Sequence, residues 1–198
     1  MAGRSRRSTA EILLSAAYQR SSTIVESNQE KDAANELFWR FNPVERLDAE
    51  TLRDSILAVS GDLDAKMGGP AKPLDAENLR RAIYGEVERT SPDRTMTLFD
   101  FPDPKSHSEE RSVTVGPLHR LYFLNNPFVI AQSEVFAKRL EAEAGDDWSK
   151  RIALAYQLAF SRPPTPDETQ AGLAFVETEP WPRYTQMLLA ASEFFSVR

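Results

Sequence analysis

Asp100 and Asp103 flank Pro102 in the phrase F-D-F-P-D-P. Two carboxylates this close could work as an acid/base pair or supply oxygens to Ca²⁺. A calcium loop needs more oxygen ligands than this spacing offers, and Asp beside a proline-containing corner is ordinary turn chemistry. His119 is the third catalytic candidate, because imidazole changes charge near neutral pH and binds metals. No second histidine lies at ligand spacing, and His107 sits in a polar loop. The plainer reading of His119 is a partly buried helix residue bonded to a carbonyl, and no metal site is expected. Trp39, Arg40, Arg46 and the pair Arg80-Arg81 could form an aromatic and basic surface for sugars or anions. Arg111 and Asn125 join them as binding candidates. The plainer reading buries Trp39 with Phe41, pairs the arginines with the abundant Asp and Glu, and gives Asn125-Asn126 to helix capping. No Ser-His-Asp phrase, Walker loop, G-x-G-x-x-G or H-E-x-x-H is present, which leaves catalysis an open question.

Composition bounds the field. A chain of 198 residues has room for one large domain or two small ones, and can bury roughly 70% of its unfolded surface. Apolar residues make up 41% and charged residues 27%, as in ordinary globular proteins. A net charge of -6 argues against a nucleic-acid partner. The absence of cysteine excludes disulfides, thiolate metal sites, Cys nucleophiles and C-x-x-C-H haem attachment. No apolar run is long enough for a membrane span. The basic start Arg4, Arg6, Arg7 is followed by a polar stretch with Glu11, so no signal peptide is read.

The elements that must position these groups are helices. Residues 1–7 read as a disordered N-terminus and 8–198 as one helical domain. A Ser8/Glu11 capping box predicts a first helix to about Arg20, with Ile12, Leu13, Ala16 and Ala17 as its apolar stripe. Leu37–Phe41 is an aromatic run that Pro43 ends. Asp48 is an N-cap, Leu52, Ile56 and Val59 follow at helical spacing, and Gly61 closes that helix. The segment 61–73 is a Gly/Pro loop. Arg80–Arg89 alternates, so a strand fits, though helix is not excluded over so short a run; Met96–Phe101 also alternates and could pair with it in one small β-hairpin near 81–88 and 96–101. The densest apolar pattern, Arg111 to Leu140, reads as a helix from Pro117 to Asn125, a corner, and a longer helix capped by Asn126 and opened by Pro127. On the longer helix Phe128, Ala131, Val135 and Leu140 share a face. A further helix starts near Asp146-Asp147. Another starts at Thr165-Pro166-Asp167-Glu168, and a last one runs from about Pro182 to Phe195. The expected fold is mainly α, a single-domain helical bundle with at most one small β-hairpin. Its core should centre on Leu52, Ile56, Leu121, Leu124, Phe128, Val135, Ile152, Phe160, Leu188 and Phe195.

Several phrases share one resemblance: L-S-A-A-Y-Q-R-S-S (14–22), L-F-W-R-F-N (37–42), R-L-D-A-E-T-L-R-D-S-I-L-A-V-S-G (46–61), R-R-A-I-Y-G (80–85), L-F-D-F-P-D-P (98–104), Y-F-L-N-N-P-F-V (122–129) and R-P-P-T-P-D-E (162–168). In these the chain resembles the C-terminal domain of unknown function of planctomycete cytochrome c domain-containing proteins. The likeness covers nearly the whole chain in order, and starts inside the family domain, as an N-terminally truncated form would. In the family phrase T-x-x-P-x-Q-A-L, His119 stands where Gln is usual. No haem motif is present, so no cofactor is expected in this chain.

The resemblance implies an exported or cell-envelope setting. It also implies two possible partners: the missing N-terminal portion of the domain, or a cytochrome c domain protein. Three functions follow as expectations. One is a structural or interaction module of a larger exported envelope system. The second is a hydrolase-like domain acting on polysaccharide, which convergence of Asp100, Arg111 and His119 in one concave site would favour. The third is a docking domain for a cytochrome c partner. With the preceding part of the domain missing, apolar surface near the first helix and Leu37–Phe41 is expected to lie uncovered.

Overall fold

The computed structural model describes residues 2–21, 23–34, 36, 45–109 and 111–197. Trp39, Arg40 and the Leu37–Phe41 run lie outside the described residues. The chain divides into two compact units, one of residues 1–45 with 196–198 and one of 46–195. The first unit carries α1 (Ala2–Leu13), the single turn α2 (Glu26–Gln29) and most of a two-stranded pairing. In that pairing β1 (Glu45–Arg46) lies beside β2 (Ser196–Val197). The helix α1 begins ahead of Ser8, the expected cap, and ends at Leu13 rather than Arg20. Its apolar residues are uncovered as expected: Ile12 is 61%, Leu13 43% and the following Leu14 73% exposed.

The second unit holds α3 (Ala49–Ser60), α4 (Arg94–Leu98), α5 (Pro117–Asn125), α6 (Pro127–Ala144), α7 (Trp148–Phe160), α8 (Pro166–Thr178) and α9 (Trp181–Leu189). The mainly α architecture holds. Its starts follow local chemistry. The Asp48 side chain accepts from Thr51 N–H, Asn126 from Phe128 N–H and Asp147 from Lys150 N–H. Thr165 and Glu168 close a capping box over α8, with Pro166 at its first position. Gly61 ends α3 at φ 93°, a left-handed conformation that costs glycine little.

The expected hairpin is not formed. Residues 82–84 are a 3₁₀ turn, and 94–98 are α4, whose N-cap Asp93 accepts from Met96 N–H. The alternation in M-T-L-F-D-F spans too few residues to separate a strand from one helical turn, and the cap decides for the turn. The segment 64–85 makes isolated parallel bridges, Asp64 to Arg80 and Lys72 to Gly85, and no named strand.

The helix α6 is the hub, packing against α3, α5, α7 and α9. It must therefore bury a stripe wider than one face, and the buried residues are Phe128, Val129, Gln132, Ser133, Phe136, Ala137 and Leu140. Ala131 is exposed and Val135 half-buried, so the expected face is rotated. One core cluster gathers Leu52, Ile56, Leu57, Phe99, Phe123, Phe128 and Phe195. The other gathers Phe136, Leu140, Ile152, Tyr156, Trp181, Tyr184 and Leu188. Leu121 and Leu124, placed in the core by the sequence reading, are 51% and 57% exposed. The buried face of α5 is His119, Tyr122 and Phe123 instead. An aromatic side chain buries about 150–250 Å². Phe123 packs edge-on to Phe99 and Tyr122 and stacks on Phe195 at 5.3 Å, so the rings win the inner face.

Candidate functional site

The turn that follows α4 brings Arg46, Asp100, Thr114 and His119 together. Asp100 stands at φ 61°, a left-handed conformation that Asp tolerates better than most residues. Its Oδ2 accepts from Arg46 Nη2 at 2.6 Å and from Thr114 N–H at 2.8 Å. Its Oδ1 accepts from the Thr114 hydroxyl at 2.9 Å. Arg46 then donates from Nε to Thr114 O at 3.1 Å and from Nη1 to Leu47 O at 2.8 Å. The guanidinium also lies 5.4 Å from the centre of the Phe99 ring. The Arg46 and Asp100 side chains are 3% and 16% exposed, so this is a largely buried pair. Burial alone works to raise the Asp100 pKa. The two hydrogen bonds from Thr114 and the charge of Arg46 outweigh it and hold the carboxyl below the usual carboxylate range. Arg46, expected on a binding surface, is instead a buried clamp between the 98–101 turn and the segment that leads into α5.

His119 locks the same turn from the other side. Gly116 N–H donates to its Nδ1 at 3.0 Å, so Nδ1 acts as an acceptor. The network therefore assigns the proton to Nε2, which donates to Leu98 O at 2.9 Å. The ring also packs on Phe99, 4.9 Å between centres. His119 is the third residue of α5 and reaches back to the N–H of its N-cap, the place a capping-box Gln or Glu fills. A Gln at this position would also offer an acceptor to that N–H.

The remaining candidates disperse. Asp103 is exposed and caps its own turn, accepting from Lys105 N–H at 2.9 Å. Arg111 makes a two-pronged bond to Glu50 at 2.8 and 2.9 Å and reaches Asp48 at 3.4 Å, fastening the start of α3. Those bonds to Glu50 raise the Arg111 pKa. Arg80 donates to Pro70 O at 3.1 Å and to Gly68 O and lies over the Tyr84 ring, holding the Gly-Gly-Pro loop. Arg81 pairs with Asp54 at 3.4 Å. The Asn125 side chain donates to Leu121 O at 3.0 Å within its own helix. Asp100, Arg111 and His119 thus do not form one concave site. None of five surface cavities among the described residues is lined by Asp100, Asp103 or His119. Among the described residues no group of three or more His, Cys, Asp and Glu is arranged to hold a metal ion. No described helix is long and apolar enough to cross a membrane.

One charged residue escaped the sequence reading. Arg53, on α3, is 4% exposed and donates to Arg80 O at 3.0 Å, Asp75 O at 3.2 Å and Asn78 O. Burial pulls its guanidinium below the ordinary arginine value. Its partners lie in a distant loop, and no spacing rule on α3 points to them.

Fold and site together define a helical domain whose polar clusters serve its own architecture. The chain belongs to the PSD1 family, described as protein of unknown function (DUF1553), whose model matches residues 4–176. The family resemblance read from the sequence phrases is thereby established. No curated protein and no solved structure matches the chain.

Proposed function

We propose that this domain is a structural or interaction module of a larger exported assembly. The observation that carries the reading is the outer face of α5. Leu118, Leu121 and Leu124 follow one another at helical spacing and are 64%, 51% and 57% exposed. A single exposed leucine is ordinary, but three in register on one short helix form an apolar stripe of the kind that marks an interface. Val113 and Val115 on the approach to α5 are exposed as well, at 59% and 73%. The hydrolase alternative has less support, because the polar atoms of Asp100 and His119 are spent on internal bonds. The resemblance to domains carried by cytochrome c domain-containing chains supports an exported setting. It makes a cytochrome c domain protein the counterpart.

The test is calorimetric titration of the purified chain with a cytochrome c domain protein, beside a variant carrying Leu118→Ser, Leu121→Ser and Leu124→Ser. Saturable binding is expected, weakened at least about tenfold in the triple variant, which corresponds to about 1.4 kcal/mol. Circular dichroism should show the variant still folded. Absence of binding refutes the proposal, and so does equal binding by the triple variant.

A further inference from the structure

An open cleft of about 490 Å³ lies along α3. Glu50, Thr51, Asp54 and Ser55 of that helix line it, together with Arg81 and Ile83. None of these residues belongs to the outer face of α5 or to the Arg46–Asp100–His119 cluster. The charges of the lining are matched in pairs. Glu50 accepts both prongs of Arg111, at 2.8 and 2.9 Å. Asp54 accepts from Arg81 Nε at 3.4 Å and from Ala82 N–H at 2.6 Å. Two carboxylates against two guanidinium groups leave no net charge to draw a free ion.

Pairing does not exhaust the hydrogen-bonding capacity. A carboxylate can accept about four bonds, and Glu50 and Asp54 each accept two from described residues. The Arg81 side chain is 55% exposed, and its Nη groups donate to no described residue. The hydroxyls of Thr51 and Ser55 likewise have no partner among the described residues. Donors and acceptors with unused capacity therefore alternate along one cleft. The second observation is apolar. By holding its N–H, Asp54 fixes Ala82, which is buried, and the next residue, Ile83, is left 73% exposed at the cleft. Half-buried Leu63 and exposed Ala58 add to the apolar lining. An ionic ligand would meet a like charge here, and a wholly apolar one would strand the polar groups. A neutral molecule with many hydroxyls satisfies both, because each O–H can donate and accept while its C–H face lies on the isoleucine. The volume falls within the roughly 300–1,000 Å³ of small-ligand sites.

We propose that the cleft along α3 binds a neutral saccharide of one or two rings. Ring hydroxyls donate to Glu50 and Asp54, accept from the Arg81 Nη groups, and bond to Thr51 and Ser55. The C–H face of a ring lies against Ile83. No covalent step is involved. The site is separate from the outer face of α5 and does not depend on the reading of that face.

The experiment is a titration of the full, ¹⁵N-labelled chain with maltose, cellobiose, lactose, mannobiose and chitobiose in turn, followed by amide chemical shifts. Inorganic phosphate and acetate serve as anion probes. At least one disaccharide should produce saturable shifts at Thr51, Ser55, Ala82 and Ile83, with both anions at least about tenfold weaker. Arg81→Gln removes the guanidinium and should weaken that disaccharide about tenfold. Ala58→Trp, at an exposed position of the cleft, should abolish the shifts without changing the circular dichroism. No saturable shift at these amides with any of the five disaccharides overturns the proposal and leaves Arg81 as a partner of Asp54 alone. Phosphate or acetate binding as tightly as the best disaccharide makes the cleft an anion site and also overturns it. So do shifts that survive Ala58→Trp.

Discussion

Replacing Arg46 by methionine tests whether the Arg46–Asp100–Thr114 cluster is the clamp its geometry describes. Methionine keeps the aliphatic stem against Phe99 and removes every donor. Leaving one member of a buried ion pair alone costs about 3–5 kcal/mol in general. Here Asp100 keeps the Thr114 N–H and hydroxyl, at 2.8 and 2.9 Å, and its side chain is 16% exposed to water. The expected loss is therefore smaller, about 2–3 kcal/mol, out of the 5–15 kcal/mol or so that a domain typically has. Asp100→Asn is the matching change on the other side. It keeps an acceptor for Thr114 and tolerates φ 61°, so it removes the charge without adding backbone strain. It should cost about 1–2 kcal/mol. The double variant should cost little more than Arg46→Met, giving a coupling of about 1–2 kcal/mol. Urea unfolding at neutral pH, followed by far-UV circular dichroism, measures all three. A loss below about 1 kcal/mol for Arg46→Met, or a coupling below about 0.5 kcal/mol, would refute the clamp.

Other outcomes follow from the same structure. Glu168 is held down to about 2, from 4.5, chiefly by its hydrogen bonds to Arg162. A depressed carboxylate stabilises the fold above its unfolded pKa, so this contribution should be intact above about 4.5 and fade as pH falls toward about 2. With the side chain 31% exposed, screening reduces it to about 1–2 kcal/mol, and Glu168→Gln should flatten the acid limb of a stability–pH curve by that amount. Gly172→Ala would set a methyl carbon 2.6 Å from the Tyr184 hydroxyl oxygen and 3.0 Å from Ile152 Cδ1. It should cost about 1–3 kcal/mol in thermal unfolding, and an unchanged Tm would mean that α8 and α9 are less closely packed than described. His119→Gln keeps an acceptor for the Gly116 N–H and should cost about 1–2 kcal/mol, against about 2–4 for His119→Ala, which loses both bonds and the ring packing on Phe99. Equal losses in the two variants would sink the capping role.

Local chemistry alone sets where most helices begin and makes the fold mainly helical. Asp48, Asn126, Asp147 and the Thr165/Glu168 box act on N–H groups two or three residues away, so their effect is legible without tertiary context. The turn chemistry of Asp103 and the carbonyl partner of His119 were legible for a similar reason, as habits of the residue type. Tertiary structure decided which face each helix buries. On α5 both the Leu118–Leu121–Leu124 stripe and the His119–Tyr122–Phe123 stripe have helical spacing. The choice fell to the rings because Phe99 and Phe195, far along the chain, supply aromatic partners. Tertiary structure also decided that Arg46 is a buried clamp and Arg53 a buried cation. Their partners stand 54 and 68 residues from Arg46, and 22 to 27 residues from Arg53. A guanidinium has no local rule that says which carbonyls or carboxylates it will meet, since long-range packing of α3 against α4, α6 and the 64–85 segment brings them within reach.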